Sequence, residues 1–265
     1  MGLFRLQCLG EVPSTNNVVK EALEQGEGEG LAVTAERQSG GYGRQGRAWA
    51  SPEGGMYLSV LLRPQVPPAQ LPTLSLVAAV AVRRALASLL ADDVATGIRV
   101  KWPNDVVYIA EGERLSSGFL KMVGISLEQH AGGVCVGIGV NVFPPVGGAS
   151  SVAGKNRPVY LEELGFGGSC GRRAAVGEVR AAVLRELEGS YRCWLDEGFD
   201  PFMASYEAHA ALTGRSVMVE DRQGAVLAEG CVVGIDSAGR LLVQPPGAAQ
   251  PMAVASGEAH LRPLA

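Results

Sequence analysis

The sequence predicts an α+β protein in which helices flank a mixed β-sheet and a small β-barrel follows at the C-terminus. Two observations indicate this fold class. Through the first 212 residues, short runs of β-branched and apolar residues alternate with stretches of helical periodicity. From Gly214 onward the chain changes to short β-rich runs separated by glycine turns, a pattern typical of a small barrel. We therefore expect a larger domain at residues 1–212 and a smaller one at residues 213–265.

The first part of the chain alternates between strands and helices. Ser14 or Thr15 supplies the N-cap of the first predicted helix, and the glycines between residues 26 and 30 end it. The longest apolar stretch, Leu71 to Leu90, is interrupted by two arginines, so it suits a helix packed on a sheet and predicts no membrane span. The other predicted elements are strands at Leu3–Val12, Leu31–Ala35 and Met56–Leu62 and a helix at Leu74–Leu90.

The centre of the chain predicts more strands of the same sheet, followed by a loop and a long helix. Phe143 to Pro158 is rich in Gly, Pro, Ser and Ala without an apolar period, which predicts a mobile loop able to act as a lid. Apolar residues then recur every three or four positions from Val176 to Trp194, as in an amphipathic helix. The predicted strands are Arg99–Trp102, Val106–Ile109, Met122–Glu128 and Val134–Val142, and in the smaller domain Ser216–Glu220, Ala225–Ile235, Arg240–Val243 and Met252–Ala255.

Composition excludes several classes of protein. The 265 residues include 23 basic and 27 acidic ones, and the net charge of −4 lacks the basic footprint of a nucleic-acid binder. The five cysteines form no CxxC pair, and their odd number argues for a reducing compartment. The N-terminus lacks the basic segment and apolar core of a secretion signal. We therefore expect a cytoplasmic protein that binds neither DNA nor membranes.

A glycine-rich segment from Gln38 to Trp49 carries four glycines and, at Arg44 and Arg47, two arginines. Such a loop can expose several backbone N–H groups to one anion, and the arginines add forked donors with fixed charge. A flexible arginine–glycine linker is the plainer interpretation, but linkers rarely run straight into a tryptophan and a β run as this one does. The segment favours a site for a carboxylate or a phosphate.

Two further segments carry polar side chains near predicted strands. Lys101-Trp-Pro-Asn-Asp105 places an ammonium, an amide and a carboxylate around a proline turn, although an ordinary β-turn with a solvated lysine would look similar. Lys101 and Lys121 are two of only four lysines among the 23 basic residues, which suggests a need for a compact point charge. Gly124, Gly137 and Gly139 interrupt β runs, and such glycines mark places where a ligand or another backbone comes close.

These segments resemble, in kind, order and spacing, the motifs of the biotin–protein ligase family, also called biotin–acetyl-CoA-carboxylase ligases. Members carry a Ser-Thr-Asn start, a GRGRxGRxWxSP loop, KWPND, a KxxGIxxE strand and GIGxN. The matching segments here are Ser14–Asn16, Gly41–Pro52, Lys101–Asp105, Lys121–Glu128 and Gly137–Asn141. The likeness runs from about residue 3 to 262, and residues 234–239 and 256–262 are similar to the family's SH3-like C-terminal domain. The resemblance implies a catalytic fold related to class II aminoacyl-tRNA synthetases.

The resemblance also implies a reaction in two steps. The carboxylate of biotin attacks the α-phosphate of Mg-ATP to give biotinyl-5′-AMP and pyrophosphate, and a lysine of a biotin carboxyl carrier protein then displaces AMP. Because both reactants of the first step are anions, positive charge and positioning are the main catalytic needs. The implied substrates are biotin and ATP with Mg²⁺, and the implied partner is the carrier domain of a biotin-dependent carboxylase.

The resemblance assigns site residues in three overlapping sets. The catalytic set is Lys121, Arg44, Lys101 and Asp105. The biotin-binding set is Ser14, Thr15, Asn16, Gln38, Gly41, Tyr42, Gly43, Arg44, Lys121, Gly124, Gly137 and Gly139, with the last three glycines letting the bicyclic ring lie on the sheet. The set for ATP or the adenylate is Arg44, Arg47, Trp49, Lys101, Asn104, Lys121 and Asn141, with the lid at 143–158 closing over it.

The function of Asp105 and the effect of one altered position stay open. Asp105 is a candidate base for the incoming lysine, with binding of the nucleotide's Mg²⁺ as the rival function. The loop has Tyr42 and Gln45 where the family has basic residues. If the family's arginine helps to retain the adenylate, this protein should release it faster, and Tyr42→Arg should slow the release.

The function of the whole chain has two rival interpretations. A lipoate–protein ligase shares the fold and the acyl-adenylate chemistry, and a non-catalytic module that senses biotin or adenylate would tolerate Tyr42 and Gln45. Many bacterial relatives carry an N-terminal helix-turn-helix, whereas the Ser-Thr-Asn element begins at residue 14 here, so we expect no repressor function. An exposed strand edge could pair two copies in a homodimer or dock the carrier, and the sequence does not decide between them.

Overall fold

The computed structural model describes residues 2–110, 112, 119–146, 157–167 and 171–262. The strands are β1 (Arg5–Val12), β2 (Leu31–Gln38), β3 (Met56–Leu62), β4 (Ile98–Lys101), β5 (Asp105–Tyr108), β6 (Leu120–His130), β7 (Gly133–Val140), β8 (Arg157–Pro158), β9 (Ser216–Glu220), β10 (Val226–Ile235), β11 (Leu241–Gln244), β12 (Met252–Val254) and β13 (Glu258–Leu261). The helices are α1 (Thr15–Glu24), α2 (Leu74–Ala87), α3 (Asp92–Ala95), α4 (Arg172–Glu197) and α5 (Asp200–Ala208). None of these helices is long and apolar enough to cross a membrane.

The larger unit is built on one mixed sheet, as the sequence predicts. Its strands follow the order β1-β2-β3-β7-β6-β5-β4, and β8 adds to β6 outside this path. The β1–β2 and β6–β8 pairs are parallel, and the other neighbours are antiparallel. The chain therefore brings β3 and β7, which are far apart in sequence, together in the middle of the sheet.

The two faces of this sheet differ because successive strand residues point to opposite sides. Ala32, Leu58 and Val136 belong to a large core under α2 and α4. The intervening residues, such as Val33 and Cys135, pack against α1 on the other face. Towards the carboxyl end of β7 the residues of this second face are small or polar, which leaves room for a site.

Helix α2 is buried on all sides. Residues Leu76 to Val82 are each at most 1% exposed, because this part of the helix lies between the sheet and α4. A helical stretch that is apolar on every side, as this one is, is expected only in the interior. The sequence pattern predicts its end at Leu90, but the helix ends at Ala87, where the Ser88 N–H donates to the carbonyls of Arg84 and Leu86.

The C-terminal residues form a separate antiparallel sheet with the strand order β12-β11-β10-β9-β13. The pairings within the described residues define an open order, so the closed barrel stays a prediction. The hydrophobic pattern predicts neither strand β13 nor helix α5, which buries Phe202 and Tyr206. Of the predicted lid at 143–158, residues 147–156 lie outside the described residues.

Candidate active site

A row of residues in direct register crosses the α1 face of the sheet. Tyr57 pairs with Gly139, Gly139 with Gly124, Gly124 with Asp105, and Asp105 with Lys101. Residues directly opposite each other in antiparallel strands project to the same face. The row therefore makes a floor that carries no side chain in its middle, a tyrosine at one end and two charged groups at the other.

One end of this floor is closed by a hydrogen-bonded network of uncharged side chains, the neutral network, whose Asn16 Nδ2 also donates to the carboxylate of Glu128. The Gln38 Oε1 accepts from the Thr15 N–H at 2.8 Å and from the Thr15 hydroxyl at 3.1 Å. The Asn16 Nδ2 donates to Ser126 Oγ at 3.0 Å, and Ser59 Oγ lies 2.6 Å from Asn16 Oδ1. Thr15, Asn16, Ser59 and Ser126 are all buried. Buried polar groups that already satisfy one another keep fixed positions, so this end is organised for a small polar ligand group.

The network is positioned by the start of α1, where Ser14 is the N-cap. Its backbone is extended and its side chain accepts from the Asn16 N–H, as the sequence predicts for Ser14 or Thr15. The cap fixes the direction in which Thr15 and Asn16 enter the helix. Both side chains consequently reach the floor at the level of β3 and β6.

The glycine-rich loop folds over the floor as a narrow β-like turn. Bridges join Gln38 to Ser51 and Tyr42 to Ala48, and the Gly43 N–H donates to the Arg47 carbonyl at 2.8 Å. Its tip is a 3₁₀ turn over Arg44–Gly46. Gly41 itself is turned towards Ser51 and the Trp49 carbonyl, where a side chain would not fit.

The other end of the floor gathers cationic side chains. Lys121 Nζ lies 2.8 Å from Asp105 Oδ1, and Arg44 Nη1 donates to Asn104 Oδ1 at 3.0 Å. Burial lowers the pKa of Arg44, and the charge of Asp105 opposes that shift. Arg47 at the rim pairs with Glu258 of the C-terminal sheet. These groups face one cleft and can bind an anion together.

Lys101 is the most enclosed of these cations, at 4% exposure. Burial lowers the pKa of its ammonium, and the carboxylate of Asp105 counters the shift in part. Its Nζ lies 5.6 Å from the centroid of the Phe119 ring. A charged group held in such a place supplies a strong local field, because little water screens it.

Trp49 covers the glycines in the middle of the floor. A Cβ added at Gly124 would lie 2.9 Å from Cζ3 of the indole, and one added at Gly139 would lie 2.8 Å from its Nε1. Lys121 Nζ lies 5.2 Å from the centroid of the indole. The Nε1 atom is buried without a hydrogen-bond partner among the described residues. The glycines at 124 and 139 thus make room for Trp49, whereas Gly137 makes room for Asn16 and Ser126.

Most predicted site residues lie together along this cleft. Those that line it are Ser14, Thr15, Asn16, Gln38, Tyr42, Gly43, Arg44, Arg47, Trp49, Lys101, Asn104, Asp105, Lys121, Gly124, Gly137 and Gly139. Gly41 and Asn141 do not belong to the lining. Gly41 shapes the loop, and the Asn141 Nδ2 donates to the Lys121 carbonyl at 2.9 Å, so it holds the strand that carries Lys121.

Sequence reasoning missed Tyr57, Ser126 and Glu258, which also line the cleft. Ser126 lies within the KxxGIxxE segment, and its place two residues after Gly124 could have indicated it. Nothing local marks Tyr57, whose hydroxyl donates to the Pro52 carbonyl at 2.6 Å. Glu258 comes from the other sheet and depends on how the two units pack.

The carboxylates of the cleft fit a metal ion only in part. Among the described residues, no group of three or more His, Cys, Asp or Glu side chains could hold a metal. Asp105 and Glu258 are the two carboxylates in the cleft lining at the cationic end, and Glu258 pairs with Arg47. Mg²⁺ is commonly bound by one or two carboxylates together with substrate phosphates, so Asp105 suits an ion that arrives with a nucleotide.

The fold and site together define a protein in which one mixed sheet carries a cleft with hydrogen-bonded polar side chains at one end and fixed cations at the other. Residues 9–142 match the model of the Biotin/lipoate A/B protein ligase family. The chain belongs to this family.

Individual relatives agree with this assignment. The chain is 33% identical to the biotin–[acetyl-CoA-carboxylase] ligase of Paracoccus denitrificans, over 82% of this chain and 85% of that one. It is 32% identical to the enzyme of the same name from Mycobacterium tuberculosis, over 98% and 91% of the two chains. It also matches the bifunctional ligase/repressor BirA of Bacillus subtilis at 31% identity over 87% of this chain, but spans only 66% of that protein.

A solved structure shares the whole fold. The biotin protein ligase of Aquifex aeolicus in complex with biotin and ATP superposes with a TM-score of 0.76 and 29% identity, over 97% of this chain and 98% of that one. Since the match covers both sheets, the arrangement of the larger unit and the C-terminal unit is common to the two proteins.

Proposed function

We propose that this chain joins biotin to a lysine of a carboxylase carrier domain, by way of biotinyl-5′-AMP formed from biotin and ATP. Relatives in this family carry names that state this ligase activity, and a structural neighbour holds biotin and ATP. Neither a lipoate ligase nor a non-catalytic sensor is favoured by these likenesses.

One observation carries the proposal, the change of character from one end of the cleft to the other. The α1 end offers uncharged donors and acceptors from Thr15 and Asn16, which are buried, and from Gln38, which is partly buried. The opposite end offers Arg44, Lys101 and Lys121. Biotin has the complementary polarity, because its ureido ring is neutral and its chain ends in a carboxylate. We therefore place the ring at the network and the carboxylate at Lys121.

The first step needs two anions to meet. Lys121 and Arg44 screen the repulsion between the biotin carboxylate and the α-phosphate. The buried ammonium of Lys101 strengthens the positive electrostatic field in the same cleft. The carboxylate is already ionised at neutral pH, so the step needs no general base. Asp105 holds Lys121 at 2.8 Å and so fixes the direction of its ammonium. Mg²⁺, bound through ATP and Asp105, would neutralise phosphate charge.

The second step needs the acceptor lysine to lose a proton. Asp105 is the carboxylate in contact with Lys121 and remains the candidate base, although this contact also fits a positioning function. Trp49 covers the middle of the cleft and would shield a mixed anhydride from water there. In the cell we place the reaction in the cytoplasm, on the strength of the unpaired cysteines Cys8, Cys135, Cys193 and Cys231.

The test is exchange of labelled pyrophosphate into ATP with the purified chain. We expect exchange that depends on biotin, and formation of a biotinylated carrier domain when one is added. Exchange with lipoate but none with biotin would replace this function by lipoate ligation. Biotin binding without exchange would identify a sensor.

A further inference from the structure

Tyr42 lies on the loop where the family pattern has an arginine, and its contacts lead away from the cationic end. Its hydroxyl donates to Asn17 Oδ1 at 3.2 Å. Lys20 Nζ lies 5.2 Å from the centroid of the Tyr42 ring. Both partners belong to α1, so the tyrosine joins the loop to the helix that carries the neutral network.

Lys20 is itself held in place. Its Nζ lies 3.1 Å from Glu128 Oε2, and the other oxygen of Glu128 accepts from Asn16 Nδ2 at 3.1 Å. Burial opposes the charge of Lys20, but the neighbouring Tyr42 and Glu128 outweigh it and raise the pKa of Lys20. The lysine is therefore a cation at neutral pH, with its charge aimed at both the carboxylate and the aromatic ring.

This arrangement links the loop to the network. Tyr42 is bridged to Ala48, so the contact with α1 holds both sides of the loop. Tyr42 also lines the cleft between the network and Arg44. A loop fastened here keeps Arg44 and Trp49 over the floor.

We propose that Tyr42 is a positioning residue, clamped by Lys20 and Asn17, that holds the loop shut over the biotin ring and slows its release. This inference rests on the proposed function, because it takes biotin as the ligand. To release the ring the loop must break its contacts with Asn17 and Lys20, which slows dissociation.

An arginine would not serve at this position in this chain. Its guanidinium would come near Lys20, and two like charges at such a distance repel. The arginine expected from the family pattern should therefore loosen the loop here. If the added positive charge were the dominant effect, Tyr42→Arg would instead release the ligand more slowly than the wild type. The sign of the change in release rate therefore distinguishes the two expectations.

The experiment measures the dissociation of labelled biotin from the purified chain, alone and after adenylate formation with ATP. We expect Tyr42→Ala to speed dissociation about 10-fold, and Tyr42→Phe and Lys20→Met about 3-fold each, from the usual strength of one cation–π contact and one hydrogen bond. Tyr42→Arg should also release biotin faster than wild type. Adding Lys20→Met to Tyr42→Arg should recover part of the loss, because it removes the repulsion.

Steady-state constants separate positioning from general damage. The KM for biotin in pyrophosphate exchange should rise with the dissociation rate, while kcat stays within about 2-fold. Arg37→Met is the matched control, since it removes an exposed cation paired with Glu11, outside the cleft lining. It should leave dissociation unchanged.

The outcomes are distinct. Wild-type dissociation in Tyr42→Ala and Tyr42→Phe, or slower dissociation in Tyr42→Arg, overturns the clamp and leaves the ligase function standing. A fall in kcat with KM unchanged also overturns it. If the wild-type chain does not bind biotin, the clamp and the proposed function fail together.

Discussion

At the scale of single residues, Lys101 shows how a site can oppose the stability of the fold. Its amine is buried at the cationic end of the floor, and its pKa is lowered by that burial. The carboxylate of Asp105 keeps a second partner in Lys121 at 2.8 Å. Removing Lys101 consequently leaves no carboxylate without a cation.

We predict that Lys101→Met stabilises the protein and impairs it as an enzyme. The free energy of unfolding should rise by about 1–2 kcal/mol, as when buried charges give way to apolar groups of similar volume. Adenylate formation should fall about 100-fold, as when a preorganised charge is lost. Urea denaturation and pyrophosphate exchange measure the two effects. A loss of stability would show that the ammonium is a net contributor to the fold.

The gain in stability of Lys101→Met over the wild type should depend on pH. Because the pKa of Lys101 in the folded state lies below its usual value of 10.5, its charge costs folding free energy. The cost is fully present below the folded pKa and is relieved as pH rises towards the unfolded value. The stability advantage of Lys101→Met should therefore be largest at neutral and acidic pH and shrink in alkaline solution. An advantage that grows with pH would contradict the assigned direction.

Asp105 gives a second prediction at this scale. Asp105→Asn removes the counter-ion that fixes Lys121, and also the carboxylate available to Mg²⁺. Both effects act in the first step, so we expect adenylate formation to fall about 100-fold. Single-turnover transfer from synthetic biotinyl-adenylate to a carrier domain measures the second step separately. Asp93→Asn, on the exposed helix α3, is the control.

The effect of Asp105→Asn on the two steps distinguishes a general base from a positioning or metal-binding residue. If Asp105→Asn forms the adenylate at the wild-type rate but does not transfer it, then Asp105 is the base for the acceptor lysine. If both steps fall together, the positioning and metal functions account for the residue.

At the scale of elements, the sequence predicts what local pattern controls. Met56–Leu62 matches β3 at both ends, and Ser14 is recognisable as a cap because capping is a local preference. Helix α5 escapes prediction because its nine residues are too few to show a clear helical period. The position of Trp49 over Gly124 and Gly139 could not be predicted, because it depends on the register of β6 and β7 and on the path of a distant loop.

We predict different effects for alanine substitutions at two glycines of β7, Gly137 and Gly139. Gly137→Ala would place a methyl group 2.6 Å from Ser126 Oγ and against Asn16, deep in the neutral network. We expect a loss of about 1–3 kcal/mol in stability and a raised KM for biotin, since the buried groups there cannot yield. The atoms nearest to the new methyl group of Gly139→Ala belong to the indole of Trp49, which lies on a loop and can shift. Its stability loss should be smaller.

Urea denaturation of both variants measures this difference. Gly189→Ala in α4 is the matched control, because nothing lies within 4 Å of the added Cβ, and alanine in a helix should add about 0.5–1 kcal/mol. Equal losses for the two β7 variants would mean that the loop is as rigid as the network.

At the scale of the whole molecule, two contacts join the units near the cleft. The Trp102 indole N–H donates to the Gly239 carbonyl at 3.0 Å, and Arg47 pairs with Glu258. Neither contact follows from local sequence, because each joins segments more than a hundred residues apart. The Trp102 ring is 1% exposed, whereas the Arg47 side chain is 59% exposed.

We predict that the buried contact of Trp102 with Gly239 stabilises the folded protein far more than the ion pair of Arg47 with Glu258. Trp102→Phe should cost about 2 kcal/mol or more through a lost hydrogen bond and a cavity. Glu258→Gln should change stability by less than about 1 kcal/mol, as exposed pairs usually do. Urea denaturation, with Trp194→Phe as a control for the same change inside the larger unit, measures both. A larger loss for Glu258→Gln would reverse this order.

The alternation along β3 and β7 has a consequence for how such a protein can diversify. Val60 and Val136 serve the apolar core, Tyr57, Gly137 and Gly139 line the cleft, and Leu58 and Ile138 belong to both. Positions that affect ligand preference therefore largely alternate, along the same two strands, with positions that affect thermal stability. A library that varies only the cleft-facing positions could explore new carboxylic acids while inheriting an unchanged interior.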